Sequence, residues 1–303
     1  MKWHKRGLVY RPRGDLWWAK KYALLPTASV SDDQVIRVYF ASLDEELYGR
    51  IGYVEVDVDS PQQILYESQG AVLDIGELGT FDDCGVNPSS VMKFGGRMYL
   101  YYIGWQRCER VPYMLFSGVA ISADNGRSFK KHSRTPILER NNDEPFSRSA
   151  PWVTVEGDIL KMWYWSCVRW TYGKSGVHYN SVLRYATSKN GIEWSTHDHV
   201  CIQPEGNDEY AVGRPCVVKD GHVYRMWYSI RSFNKLYTIG YAESNDGIHW
   251  VRKDNEAGID KSESGWDSEM ICYPCVVDIK GKRYMFYNGN RHGASGFGYA
   301  ILE

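Results

Sequence analysis

Apolar and polar positions alternate along this chain in short runs, and the runs recur at a fixed step. Each copy has a proline, an apolar stretch, a turn and an aromatic-rich run. The prolines are Pro26, Pro88, Pro151, Pro215 and Pro274, separated by 62, 63, 64 and 59 residues. The aromatics that end each copy, Phe40, Tyr102, Tyr164, Tyr228 and Tyr287, are separated by 62, 62, 64 and 59. The runs read IRVYFAS (36–42), YLYYIG (99–104), KMWYWS (161–166), RMWYSIR (225–231) and YMFYNGN (284–290). Aromatic and β-branched residues between turn formers predict strands. A third run follows each: RIGYVEVD (50–57), SGVAIS (117–122), LRYATS (183–188), IGYAES (239–244) and GFGYAIL (296–302). Three copies continue into SADNGRSF (122–129), SKNGIEW (188–194) and SNDGIHW (244–250). Asn-Gly and Asp-Gly accept the positive φ of a two-residue hairpin. Phe129, Trp194 and Trp250 then open a fourth, outer strand.

Four antiparallel strands repeated at this period predict an all-β, five-bladed β-propeller. The last copy stops at Glu303, after its third strand. At the other end, Trp3-His4-Lys5-Arg6 and GLVYRP (7–12) read like FKKHSRTPILER (129–140), which puts Trp3 where Phe129, Trp194 and Trp250 stand. The N-terminal strand is therefore expected to complete the fifth blade beside GFGYAIL, closing the ring and covering an open edge.

Five blades of this size use all 303 residues, so a single domain, 1–303, without a linker is expected; 43% hydrophobic content suffices for its core. A net charge of −1 argues against a nucleic-acid or anionic-membrane partner. The start, MKWHKRGLVYRPRGD, is basic, but no apolar run follows, so neither a secretion signal nor a membrane span is expected. Seven cysteines are an odd number with no metal-like pairing. Cys272 and Cys275 form a CxxC on a predicted inner strand and read as buried thiols, so neither metal nor cofactor is expected. A reducing, cytoplasmic setting fits. Of the 12 Trp and 23 Tyr, most recur in register, as blade packing requires. Trp17, Trp18, Trp105, Trp165, Trp170 and Trp266 do not. Trp18 and Trp105 are taken as candidate stacking platforms for the C–H faces of a sugar.

Carboxylates precede every repeated proline: Asp15; Asp82 and Asp83; Asp143 and Glu144; Asp208 and Glu209; Asp267 and Glu269. Loops entering the inner strands of a propeller form one rim, so these groups are expected to converge. Crowded like charges separate in pKa into acid and base roles, and glycoside cleavage needs such a pair. Turn capping is the plainer use of Asp and Glu, with Asp82, Asp143 and Asp208 the strongest candidates.

The repeat resembles the five-bladed propeller glycosidases, meaning glycoside hydrolase families 43, 32 and 68 and the mannoside phosphorylase family 130. The shared features are the S-x-D-G-x-W hairpins, the blade openings ending in a Met-Trp-Tyr-Ser run, and the N-terminal closure. In families 43 and 32 the catalytic acids stand at or beside the blade-opening proline. Here the residue before it is Leu25, Asn87, Ala150, Arg214 or Tyr273, and none is an acid. The resemblance implies a glycoside hydrolase-like protein that holds an oligosaccharide or glycoconjugate in a central funnel. Glu209 or Glu269 is then the general acid, with Asp83 or Asp15 the base or nucleophile. Arg148, Arg214, Asp267, Tyr273, Asn290, His292, Trp18 and Trp105 are the expected substrate contacts. Arg148, Arg214, Arg231, Arg291 and His292 are also candidates for an anionic group. The missing acids leave two alternatives open: a non-hydrolytic sugar-binding or transferase-like protein of polysaccharide biosynthesis, or a phosphorylase.

Overall fold

The computed structural model describes residues 1–30, 33–173 and 176–303. Strands dominate it, with one 3-10 turn at Asp254–Glu256 and one helical turn, α1, at Asn290–Gly293. The N-terminal strand is Trp3–Tyr10 (β1). A first antiparallel meander follows: Lys21–Val30 (β2), Val35–Leu43 (β3), Gly49–Asp57 (β4) and Ile64–Glu67 (β5). The second is Gly85–Phe94 (β6), Arg97–Arg107 (β7), Tyr113–Ser122 (β8) and Lys130–Lys131 (β9). The third is Arg148–Glu156 (β10), Ile159–Gly173 (β11), Gly176–Ser188 (β12) and Ser195–Ile202 (β13). The fourth is Glu209–Asp220 (β14), Val223–Ser232 (β15), Thr238–Ser244 (β16) and Val251–Arg252 (β17). The last group is Cys272–Ile279 (β18), Lys282–Asn288 (β19) and Phe297–Leu302 (β20). There β1 pairs antiparallel with β20, Trp3 opposite Leu302 and Tyr10 opposite Phe297. The N-terminal strand thus supplies a fourth strand to the fifth group.

The first strands β2, β6, β10, β14 and β18 pack against one another in that order, and β18 packs against β2. Four of the five aromatics at the ends of the second strands stand opposite a glycine on the third: Phe40 opposite Gly52, Tyr102 opposite Gly118, Tyr228 opposite Gly240, Tyr287 opposite Gly298. At Gly118 and Gly240 the ring lies over the bare backbone, where a Cβ would sit 2.2 Å from Tyr102 and 2.6 Å from Tyr228; at Gly52 and Gly298 the indoles of Trp18 and Trp266 take that space. The third meander departs, with Arg184 opposite Tyr164, because Arg184 pairs with the buried Glu144.

The Ser-x-Asp/Asn-Gly segments are capped turns rather than simple two-residue hairpins. Ser122, Ser188 and Ser244 each accept the N–H of the turn glycine on Oγ at 2.8 Å. The glycine carbonyl then accepts from the preceding meander: Gly126 from Tyr39 Oη (2.8 Å), Gly191 from Tyr101 Oη (3.0 Å) and Gly247 from Trp163 Nε1 (2.7 Å). Between the first and last groups, Tyr284 Oη donates to the Val58 carbonyl at 3.0 Å. Between the fourth and last, Trp3 stands edge-on to Trp227 at 5.7 Å. Phe129, Trp194 and Trp250 lie just ahead of the fourth strands. Two of those strands, β9 and β17, are only two residues long, as exposed edges often are.

Candidate binding site

All five first strands break register at the repeated proline, between Leu24 and Thr27, Pro88 and Ser90, Ser149 and Trp152, Gly213 and Cys216, and Cys272 and Cys275. A bulge re-aims the side chain ahead of it. Four of the residues before the prolines are left-handed: Leu25 (φ 52°), Ala150 (48°), Arg214 (52°) and Tyr273 (57°). Backbone of this kind costs a non-glycine residue about 1–2 kcal/mol, and such strain clusters at functional sites. These four and Asn87 line one cavity of about 520 Å³.

Among the described residues, no Asp or Glu lines that cavity. Its first-meander wall is Leu24, Leu25, Leu43 and Leu47; the second meander adds Ile103, Trp105 and Leu115, with Asn87, Arg107 and Tyr113 as the polar members. The other side is aromatic and basic. The Arg231 guanidinium lies 4.9, 5.2 and 5.0 Å from the rings of Tyr179, Tyr210 and Tyr237, a cation–π box. Tyr237 meets Tyr273 at 5.7 Å and His292 at 5.0 Å. Burial and the charge of Arg231 lower the His292 pKa to about 4, so this ring is neutral at physiological pH. Burial holds the hydroxyls of Tyr237 and Tyr273 protonated far above their ordinary range.

Arg214, 2% exposed, reaches across the first strands and donates to the Ser89 carbonyl and to Thr27 Oγ1 (2.8 Å). Burial pulls its pKa down. Neither Arg214 nor Arg231 forms an ion pair among the described residues. Arg214 Nε, Arg231 Nε, Asn87 Oδ1 and Ser149 Oγ are buried without a hydrogen-bond partner there. Buried polar atoms left in that state are uncommon, and these four belong to residues that line the cavity.

The carboxylates before the prolines lie elsewhere. Asp82 accepts from Tyr102 Oη at 2.9 Å and pairs with Lys131. Glu144 accepts from Tyr164 Oη at 2.9 Å and pairs with Arg148. Asp267 accepts from Tyr287 Oη at 2.9 Å and from Lys5 at 2.7 Å. In each case a buried second-strand phenol takes the acid as its acceptor and a base neutralises it. The fourth meander answers the same need with Asp254, which accepts from Tyr228 Oη at 2.6 Å. The entry-loop acids are thereby drawn into their own meanders and not onto a shared axis.

Asp15 is exposed. Asp83 caps the Gly79 N–H. Glu209 is held by both terminal nitrogens of Arg252, at 2.8 and 3.0 Å. Glu269 is exposed. Arg148 is committed to Glu144, and Trp18 is fully buried against Phe40. Asn290 accepts the Glu269 N–H at 2.8 Å as a loop brace. Of the twelve expected catalytic and substrate-contact residues, the cavity therefore gathers Arg214, Tyr273, His292 and Trp105; it also gathers Arg231, a candidate for an anionic group, and the out-of-register Trp165. Tyr113, Tyr179 and Tyr237 had no signal in the repeat, because they stand outside the in-register aromatic positions. Asn87 carried one, since it directly precedes a repeated proline.

No family model matches the chain. Two Mycobacterium tuberculosis proteins, "Uncharacterized protein MT1551" and "Uncharacterized protein Rv1502", are each 40% identical to it over 303 residues, all of both chains. Among solved structures, a glycosyl hydrolase from Bacteroides ovatus superposes with a TM-score of 0.76 at 14% identity, covering 100% of this chain and 93% of that one. A structure from the work "The GH130 family of mannoside phosphorylases contains glycoside hydrolases that target beta-1,2 mannosidic linkages in Candida mannan" gives 0.75 at 14% identity, with 100% and 94% covered. At these identities the likeness speaks to the fold, an all-β architecture shared with glycoside hydrolase propellers.

Proposed function

The chain belongs to the same family as MT1551 and Rv1502 of Mycobacterium tuberculosis, and we propose that it is a five-bladed propeller that binds a carbohydrate in its central funnel without hydrolysing it. Support for the five blades and their closure comes from the cyclic packing of the first strands and the pairing of β1 with β20. Trp105, Trp165 and the tyrosines offer stacking faces for a sugar.

One observation carries the non-hydrolytic reading: the five positions before the repeated prolines all line the cavity, and none is a carboxylate. Protonating a glycosidic oxygen while attacking the anomeric carbon takes two such groups flanking one bond. The seven unpaired cysteines support a reducing compartment, and we place the protein in the cytoplasm. Among the described residues no helix is long and apolar enough to cross a membrane.

The test is a panel of oligosaccharides incubated with the purified protein, with and without phosphate, read for binding and for release of reducing sugar. The expected result is binding without release, equal in the wild type and in Glu209→Gln and Glu269→Gln. Turnover that disappears in either variant returns the function to paired-carboxylate chemistry.

A further inference from the structure

One wall of the cavity offers the hydroxyls of a sugar no partner. A sugar carries a hydroxyl on nearly every carbon, and each buried hydroxyl left without a partner costs about 1–3 kcal/mol. Leu24, Leu43, Leu47, Ile103 and Leu115 offer no side-chain partner. Such a surface stabilises an alkyl or acyl group instead.

Across from it, Arg231 is held among tyrosine rings and not by an opposite charge. Three tyrosine rings pack around the guanidinium, and its Nε is buried without an acceptor. Its polar neighbours are neutral phenols and no carboxylate, Tyr113 and Tyr210 among them, and a guanidinium so placed can offer a planar fork to a ligand. A carboxylate or phosphate oxygen pair fits that fork and supplies the missing negative charge. Neutral His292 and the protonated tyrosines beside it add no competing anion.

We infer that the ligand is an amphipathic, anionic sugar derivative, with its apolar substituent on the leucine wall and its oxyanion on Arg231. This deepens the binding function proposed above and rests on it. The oxyanion is carried by the ligand, as a sugar carboxylate or as a phosphate ester.

The experiment is isothermal titration of the whole protein with methyl β-D-glucuronide, hexyl β-D-glucuronide, hexyl β-D-glucoside, hexyl phosphate and inorganic phosphate, each taken to millimolar concentration. Hexyl glucuronide or hexyl phosphate is expected to bind at least tenfold tighter than hexyl glucoside. Whichever of the two binds tighter identifies the source of the oxyanion. Each added methylene should gain roughly fourfold where it is fully buried. Arg231→Met is expected to abolish the preference for the charged probes while keeping the chain-length effect, and Arg231→Lys to restore it only in part. The wild-type comparisons stand alone should either variant fail to fold. Equal affinity for charged and neutral hexyl probes, inorganic phosphate binding as tightly as hexyl phosphate, or no binding of any probe would each overturn the inference. Sugar release by the wild type overturns only the non-hydrolytic reading and leaves the charge and chain-length comparison intact.

Discussion

Replacing Asp267 with alanine separates a structural role for the entry-loop acids from a functional one. Asp267 is 2% exposed, and its Oδ2 serves both Tyr287 Oη and Lys5 Nζ. The substitution strands a fully buried phenol, at a cost of about 1–3 kcal/mol. It also breaks an ion pair whose lysine is 23% exposed, so the upper part of the range of about 3–5 kcal/mol for deeply buried pairs is reduced by water. Together the loss should be about 4 kcal/mol or somewhat more. With an m near 3 kcal/mol/M, the urea midpoint then falls by roughly 1 M. Tyr287→Phe alone should cost about 1 kcal/mol, yet be neutral or stabilising in the Asp267→Ala background, because it removes the orphaned hydroxyl. The assay is urea unfolding followed by far-UV circular dichroism and tryptophan fluorescence. Binding of the hexyl probes by the folded variant should match the wild type. A midpoint that hardly moves, with binding abolished, would refute the clamp and return Asp267 to the ligand.

Three further outcomes are expected. His292 takes up its proton only near pH 4 in the fold, whereas an unfolded histidine does so near 6.5. The native state therefore binds fewer protons between those values. Stability is full above pH 6.5 and falls by about 3 kcal/mol as the pH drops through 4, so melting temperatures should depend less on pH in His292→Gln over that window. Cys108 is exposed and Cys84 half-buried, while Cys167, Cys201, Cys216, Cys272 and Cys275 are buried; a thiol reagent should label Cys108 first, and the five buried thiols only on unfolding. Removal of residues 1–10 uncovers the β20 edge and the face of Trp227, so the shortened chain should lose several kcal/mol and aggregate on size-exclusion chromatography.

The strand framework was legible because it rests on local chemistry. Aromatic runs at one step, the Ser-x-Asp/Asn-Gly turns and Trp3 in the place of Phe129 all mark elements by residue type, and the pairing of β1 with β20 agrees with them. The site was less legible because a carboxylate in an entry loop does not announce its partner. Asp82, Glu144 and Asp267 stand ahead of their prolines as ligand-facing acids would, but the acceptor demand of Tyr102, Tyr164 and Tyr287 captures them. That demand spans about 20 residues of sequence and becomes visible only when the second strand folds back beside the loop. The tyrosine box is harder still, since Tyr179, Tyr210 and Tyr237 come from separate segments and meet only around Arg231. Arg214, directly before Pro215, showed its place in advance because the bulge there is a property of the repeat.

The bulge at the repeated prolines also separates what the protein is from what it recognises. At four of the five positions the left-handed backbone belongs to the strand, and each side chain there lines the cavity; Arg214 also braces neighbouring first strands through Ser89 and Thr27. The glycine contacts and the capped turns hold the strands together elsewhere. Leu25, Ala150 and Tyr273 sit like the tumblers of a lock in their casing, whereas Arg214 belongs to both. The left-handed region bars β-branched residues, which adopt it only as outliers, and none of Leu25, Ala150, Arg214 and Tyr273 is β-branched. If the proposed binding function holds, a change of ligand needs only a few residues at these positions, with the strands kept as they are.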